Sequence, residues 1–239
     1  MSIQELHYQF KLNLDRIDSL ANPDFNPAEI DFLLNEAQLI FVKQRMGTTN
    51  MKRSGFETLQ KRIDDLGNLV VNFPVQPYIT PTVVSPGVYE VDLTTTTLPY
   101  LQLINAYAIV TNADCTLRVP LKFTQHDDIN EALRDPFNKD SKEFIPYNIG
   151  KNSNNTGSSI YIYSTQNITS VAVEYVKYPN RVSFGNYAYI DGITYPPSTL
   201  ETAEHTHREI VDIACQLAAQ NSLNPEYITV REKKTVIHE

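Results

Sequence analysis

Two histidines and two carboxylates lie close together near the C-terminal end: Glu201, Glu204, His205 and His207. Side chains of these types can bind a divalent cation or move a proton. Their spacing argues against both. On a helix, His205 and His207 point about 200° apart, whereas a helical zinc pair needs a step of three or four. Glu201, Glu204 and His205 can share a face, and the ordinary reading of that group is a solvated acidic first turn favoured by the helix dipole. His207 falls on the apolar stripe and reads as a core or interface histidine. His126-Asp127-Asp128 is the second candidate, a loop where carboxylates beside a histidine could hold a cation. No third ligand is in view, and Asp127 is placed to cap a short helix. The chain has no phosphate loop, nucleophile elbow, Cys-x-x-Cys pair or His-Glu-x-x-His motif. No catalytic, metal or cofactor residue is therefore assigned, and the chain reads as a non-enzyme. A hydrolase would need an arranged acid–base pair, which the sequence does not offer.

One charge feature goes against the whole. Lys43, Arg45, Lys52, Arg53, Lys61 and Arg62 stand against the single acid Glu57 in the same stretch, in a chain of formal charge -8. The plain reading is cations at a helix C-terminus followed by a solvated loop. The functional reading is a basic patch that meets an acidic neighbouring subunit or passing DNA. Arg231, Lys233 and Lys234 in the C-terminal tail form a second set of candidate contacts. The acidic balance excludes a general nucleic-acid coat. Cys115 and Cys215 read as two buried, inert thiols. The N-terminus MSIQELHYQFKLNLDRID lacks an apolar signal region. No apolar run approaches the roughly 20 residues that span a bilayer. A chain made in a reducing compartment, without membrane contact, is expected.

The elements that would position these groups change character along the chain. Residues 1–70 read as three helices. Ile3, Leu6, Phe10, Leu14, Ile17 and Ala21 mark the first stripe, and Ile30, Leu33, Leu34, Ala37, Ile40 and Phe41 the second. Asn26-Pro27-Ala28-Glu29 signals the start of the second helix and Gly47 its stop. Phe56, Leu59, Ile63 and Leu66 mark a third helix ending at Gly67. Residues 71–195 read as a β-rich domain that holds 12 of the 14 tyrosines, a residue type that suits strands. Leu117, Val119, Leu121 and Phe123 alternate with polar positions, and Pro120 among them suggests an edge strand or a bulge. Asp191-Gly192 signals a hairpin. Residues 125–157 read as a long polar loop with one short helix around residues 128–133. Pro196-Pro197 stops the sheet, and Ser198-Thr199-Leu200-Glu201 reads as a capping box opening a helix to residue 223. Residues 224–239 remain as an extended tail. The expected fold is α+β: a helical bundle formed by the N-terminal helices and the C-terminal helix, with an inserted antiparallel β-rich domain.

The stretch LDRIDSLANPDFNPAEIDFLLNEAQLIFVKQRMG, residues 14–47, resembles the start of structural proteins of tailed bacteriophages, especially crAss-like phages of gut Bacteroidetes. EYVKYPNRVSF and YPPSTLETAEHTHREIVDIACQLAA resemble the closing part of the same group. More distantly, the layout is similar to the adaptor, or tail tubular, proteins of short-tailed phages. The resemblance implies a homo-oligomeric ring of about twelve copies with heterologous contacts, placed in the head-to-tail connector. Its implied partners are itself, the portal protein, and the next ring or tail proteins. Genomic double-stranded DNA would pass through with transient contact. The implied location is the virion neck, after assembly in the host cytoplasm. The resemblance implies no ligand residues and no cofactor. A different reading treats the Tyr-rich β-domain as a binding module for a glycan or host surface, carried on a phage tail or fibre.

Overall fold

The computed structural model describes residues 1–15, 25–47, 60–111, 115–189 and 191–221. The chain forms two compact units, one from Met1–Leu69 with Pro179–Glu239 and one from Val70–Tyr178.

The first unit contains α1 (Ile3–Asp15), α2 (Pro27–Met46), α3 (Gln60–Leu66) and, after other elements in the chain, the C-terminal helix (His207–Asn221). In α2 the Asn26 amide donates to Glu29 Oε2 at 2.9 Å, and Pro27 occupies a first-turn position whose amide would have no helical partner. Lys43 and Arg45 lie in its last turn, where cations complement the dipole. Ile30, Leu34, Ala37, Phe41 and Val42 are buried, as the stripe requires. Leu6, Phe10 and Leu14 are buried on α1, whereas Ile17 and Ala21 lie outside the described residues. The expected stripe of α3 is only partly realised: Leu66 is buried, Ile63 is exposed, and Arg62 and Asp65 take the inward positions. Phe56 and Leu59 lie outside the described residues.

The second unit is one curled eight-stranded sheet. Its strands are β1 (Val70–Val71), β2 (Thr82–Ser85), β3 (Val88–Asp92), β4 (Tyr100–Thr111), β5 (Thr116–Phe123), β6 (Ile145–Lys151), β7 (Ser158–Tyr163) and β8 (Ile168–Lys177), with α4 (Ile129–Arg134) between β5 and β6. The C-terminal helix is α5. Their order is β1-β8-β4-β5-β6-β7-β3-β2. The long β4–β8 pair shifts register between Tyr100 and Gln102, between Leu103 and Asn105, and between Ile109 and Val110, and such bulges bend a ribbon. Ala106, Ala108 and Val110 line the inside of β4, where small side chains let the sheet curve tightly. Val91, Val119, Ile145, Ile160, Ile162, Val171 and Tyr175 fill the core. Each fully buried aliphatic there contributes about 1.5–3 kcal/mol. The Tyr175 hydroxyl donates to the Leu98 carbonyl at 2.9 Å, so its polar end is satisfied.

This architecture overturns the expected fold class. The protein is mostly a curled mixed sheet with five short helices, not a helical bundle carrying an inserted antiparallel domain. Although α5 packs on α1 and α2, α3 has only seven residues and α4 six. The sheet is mixed because β5 and β6 run parallel, pairing Leu121 with Ile145 and Phe123 with Tyr147. A parallel pair needs a long crossover. The polar stretch after β5 supplies it through α4, and β6 follows within the segment that reads as a loop.

Pro120 lies inside the sheet, at the point where β5 changes partner. Residues up to Pro120 pair with β4, and Leu121–Phe123 pair with β6. A residue without an amide donor fits where one ladder stops and another starts. The capping-box signature at Ser198 is also spent differently. α5 begins at His207, after a 3-10 turn at Glu204–Thr206. The Ser198 hydroxyl donates to the Arg181 carbonyl at 2.5 Å, and Glu201 Oε2 accepts from the Asn180 amide at 2.9 Å. Both side chains tie the segment before α5 to residues 180–181.

Candidate assembly surfaces and the charged clusters behind them

α2 carries three buried polar residues at seven-residue steps: Asp31, Gln38 and Arg45. On a helix that spacing places them along one line beside the apolar stripe. At the first end, Asp31 Oδ1 lies 2.7 Å from His7 Nε2, and Asp31 Oδ2 accepts from the Phe184 amide at 2.7 Å. One turn on, Asn35 acts as a backbone mimic. Its amide nitrogen donates to the Val182 carbonyl at 2.9 Å, and its oxygen accepts from the Val182 amide at 2.8 Å. Asp31 and Asn35 thereby pin residues 182–184 to α2.

At the other end, Arg45 Nε donates to Asp65 Oδ2 at 2.8 Å, and its Nη2 donates to Glu209 Oε2 at 2.5 Å. Asp65 Oδ1 lies 2.7 Å from His205 Nε2. The Arg45 guanidinium also sits 4.6 Å from the Phe41 ring centroid. This group joins α2, α3 and α5 in a network whose charges are matched, which is what burial demands. His205 therefore has a structural partner in Asp65, whereas Glu201 is tied to Asn180. His207 is buried; its Nε2 lies 3.1 Å from the Thr202 carbonyl. Burial pushes the His207 imidazole below its usual pKa, against the pull of that carbonyl.

The six residues of the expected basic patch separate. Arg45 and Arg62 are buried, Lys43 and Lys61 are exposed, and Lys52 and Arg53 lie outside the described residues. Lys61 Nζ lies 3.7 Å from Glu209 Oε1. Arg231, Lys233 and Lys234 also lie outside the described residues. His126 is used within its sheet: Nε2 meets the Ile149 carbonyl at 2.8 Å and Nδ1 meets Asn148 Nδ2 at 3.2 Å. Among the described residues, no three His, Cys, Asp or Glu side chains converge to hold a metal. Among them also, no helix is long and apolar enough to cross a membrane. Cys215 is buried, with its thiol donating toward the Phe10 carbonyl at 3.6 Å. Cys115, expected to be buried, is exposed immediately before β5. The apolar alternation of β5 begins only at Leu117, so it does not reach back to this position.

The hairpin signal at Asp191-Gly192 is realised as a turn with one bridge, Ala188 to Thr194. Gly192 takes φ +77, a backbone region open to glycine. Arg181 lies between two rings, 4.7 Å from the centroids of both Tyr189 and Tyr195, and its Nη1 donates to Asp191 Oδ2 at 2.5 Å. Asp191 also accepts from the Tyr195 hydroxyl at 2.7 Å and the Ile193 amide at 3.0 Å. The Tyr195 hydroxyl, that amide and the guanidinium hold its carboxyl down at about 2.

The described surface includes two grooves and an exposed sheet edge. In the first unit, a groove of about 1170 Å³ is lined by Gln4, Tyr8 and Leu12 of α1 together with Glu204, His205 and Arg208. Tyr8 on its wall is 71% exposed. In the second unit, Phe137 is 86% exposed beside a smaller polar cleft of about 510 Å³ that includes Phe123, Asp128, Glu131 and Asp135. At the end of the strand order, all four residues of β2 are exposed. Single exposed apolar side chains such as Tyr8 and Phe137 are ordinary; contiguous apolar patches are what mark partner surfaces.

No curated protein matches the chain. A family model described as phage tail ring protein 3/4 matches residues 1–225, nearly the whole length. The chain therefore belongs to the phage tail ring protein 3/4 family, structural ring proteins of crAss-like phage tails.

Proposed function

We propose that this ring protein forms one closed, homo-oligomeric level of the connector between portal and tail, and that genomic DNA passes through it. The family match over residues 1–225 carries the reading. A ring subunit of this kind presents two different faces, one to each neighbour. About twelve copies, a seat in the virion neck, assembly in the host cytoplasm, and contacts with the portal protein and the next ring or tail protein complete the proposal. The chain acts as a scaffold and not as an enzyme. A formal charge of -8 suits a channel wall that must release DNA, since each neutralised phosphate would tighten the hold. Lys43 and Lys61, with Lys52 and Arg53, are proposed to meet an acidic neighbour or the passing duplex. Arg45 and Arg62 are buried and serve the first unit internally. The tail cations Arg231, Lys233 and Lys234 are proposed as inter-subunit contacts.

Native mass spectrometry of the purified chain tests this. Twelve chains of 27.2 kDa give a species near 326 kDa, and negative-stain images of it should show rings with a central hole. A chain that stays monomeric at high concentration, and is missing from the neck of purified virions, would refute the proposal.

A further inference from the structure

We infer that the outer edge of β2 receives residues 227–230 of a neighbouring copy as a ninth strand, so that successive ring subunits are locked by exchanged tails. The inference rests on the ring reading and adds to it the surface and the segment that meet.

The receiving edge is open and uncharged. β2 pairs with β3 alone and ends the strand order. The β2–β3 ladder shifts register between Val83 and Ser85, stepping over Val84. Val83 is 63% exposed and Val84 51%. A sheet edge of this kind presents unpaired amides and carbonyls, and proteins guard it with charges, prolines, bulges or short strands. β2 is short, bulged and flanked by prolines, but it carries no charged side chain to repel an added strand. The strand reads Thr-Val-Val-Ser, and no Lys or Arg occurs between Arg62 and Arg118. Pro81 and Pro86 bracket the strand, so the edge can accept a partner of about four residues.

The donor follows α5. Eighteen residues come after Asn221 in the chain. The first five, Ser-Leu-Asn-Pro-Glu, reach about 17 Å when extended. Tyr227-Ile228-Thr229-Val230 comes next: aromatic and β-branched, uncharged, and as long as β2. Arg231, Glu232, Lys233 and Lys234 follow it. Strand addition takes its affinity from main-chain hydrogen bonds and its selectivity from alternate side chains. A four-residue strand is weak alone, and closure of the ring multiplies it.

Paired cysteines test the contact. Full-length Cys115→Ser/Val84→Cys and Cys115→Ser/Val230→Cys proteins are assembled separately and as a mixture, then oxidised. The expected result is a disulfide-linked dimer in the mixture and little in either protein alone. Rings that form without this link overturn the inference. In parallel, the chain is ended after Asn221. Loss of the assembled mass, or roughly tenfold more protein needed to reach it, supports strand exchange. An unchanged ring from the shortened chain removes strand exchange and leaves the ring reading standing. A full-length protein that neither assembles nor cross-links removes both.

Discussion

Arg45 Nε donates to Asp65 Oδ2 across 2.8 Å, joining the last turn of α2 to α3 with both side chains almost wholly buried. Glu209 of α5 and His205 close the network from the other side. A buried pair of this kind is costly to break on one side only, because the remaining charge loses its partner in a poorly solvated place.

Asp65→Asn should therefore destabilise the protein by about 3–5 kcal/mol in urea unfolding. The double variant Asp65→Asn/Arg45→Met should lose less, since it leaves no stranded guanidinium. A change below about 1 kcal/mol in the single variant would mean that Glu209 alone compensates Arg45.

Acid should act on the Arg181–Asp191 turn only at low pH. The Asp191 carboxyl is held at about 2, against about 3.9 in an unfolded chain. Its charge thus stabilises the fold at every pH above the unfolded value, and that contribution drains away as pH falls from about 4 to 2. A carboxyl titration followed by NMR should place Asp191 near the bottom of that window, and Tyr195→Phe should raise it. An Asp191 midpoint near 4 would contradict the three-donor arrangement.

His207 responds in a different range. Its folded pKa lies below the ordinary histidine value because burial disfavours the imidazolium. The neutral form is the stable one, so its contribution is complete above about 6.5 and shrinks as pH drops from there toward the folded pKa. Melting temperature should decline over that interval in the wild type, and more gently in His207→Gln. Identical pH profiles for the two proteins would remove His207 from the acid response.

Gly185 should tolerate no side chain. It adopts φ +84, and a Cβ built there would lie 2.7 Å from Pro197 Cγ and 2.9 Å from Pro197 Cδ. Gly185→Ala should cost about 1–3 kcal/mol through strain and contact with a rigid ring. Gly192 provides the internal comparison: it has φ +77 but open space around it, so Gly192→Ala should cost less. Chemical denaturation of the two variants side by side decides this.

Some of this protein could be read from the order of residues alone. Asn26-Pro27-Ala28-Glu29 started α2, the apolar stripe from Ile30 to Phe41 was buried except at the half-buried Ile40, and the alternation around Val119 formed β5. The residues quoted from both ends carried the resemblance that the family match then supported. These features depend on neighbours a few positions away, so periodicity and capping chemistry decide them. The rest needed long-range partners. Ser198 and Glu201 had the spacing of a capping box, yet bound Arg181 and Asn180 because those groups were brought within reach. Arg45 and Arg62 resembled Lys43 and Lys61 in sequence and went inside, Arg45 because Asp65 and Glu209 could match its charge there. The parallel β5–β6 pair, the bend of β4 against β8 and the open edge of β2 were likewise settled by which strand met which. Main-chain hydrogen bonds carry no residue identity, so pairing across a sheet leaves little trace in composition and is decided only when the chain folds back on itself.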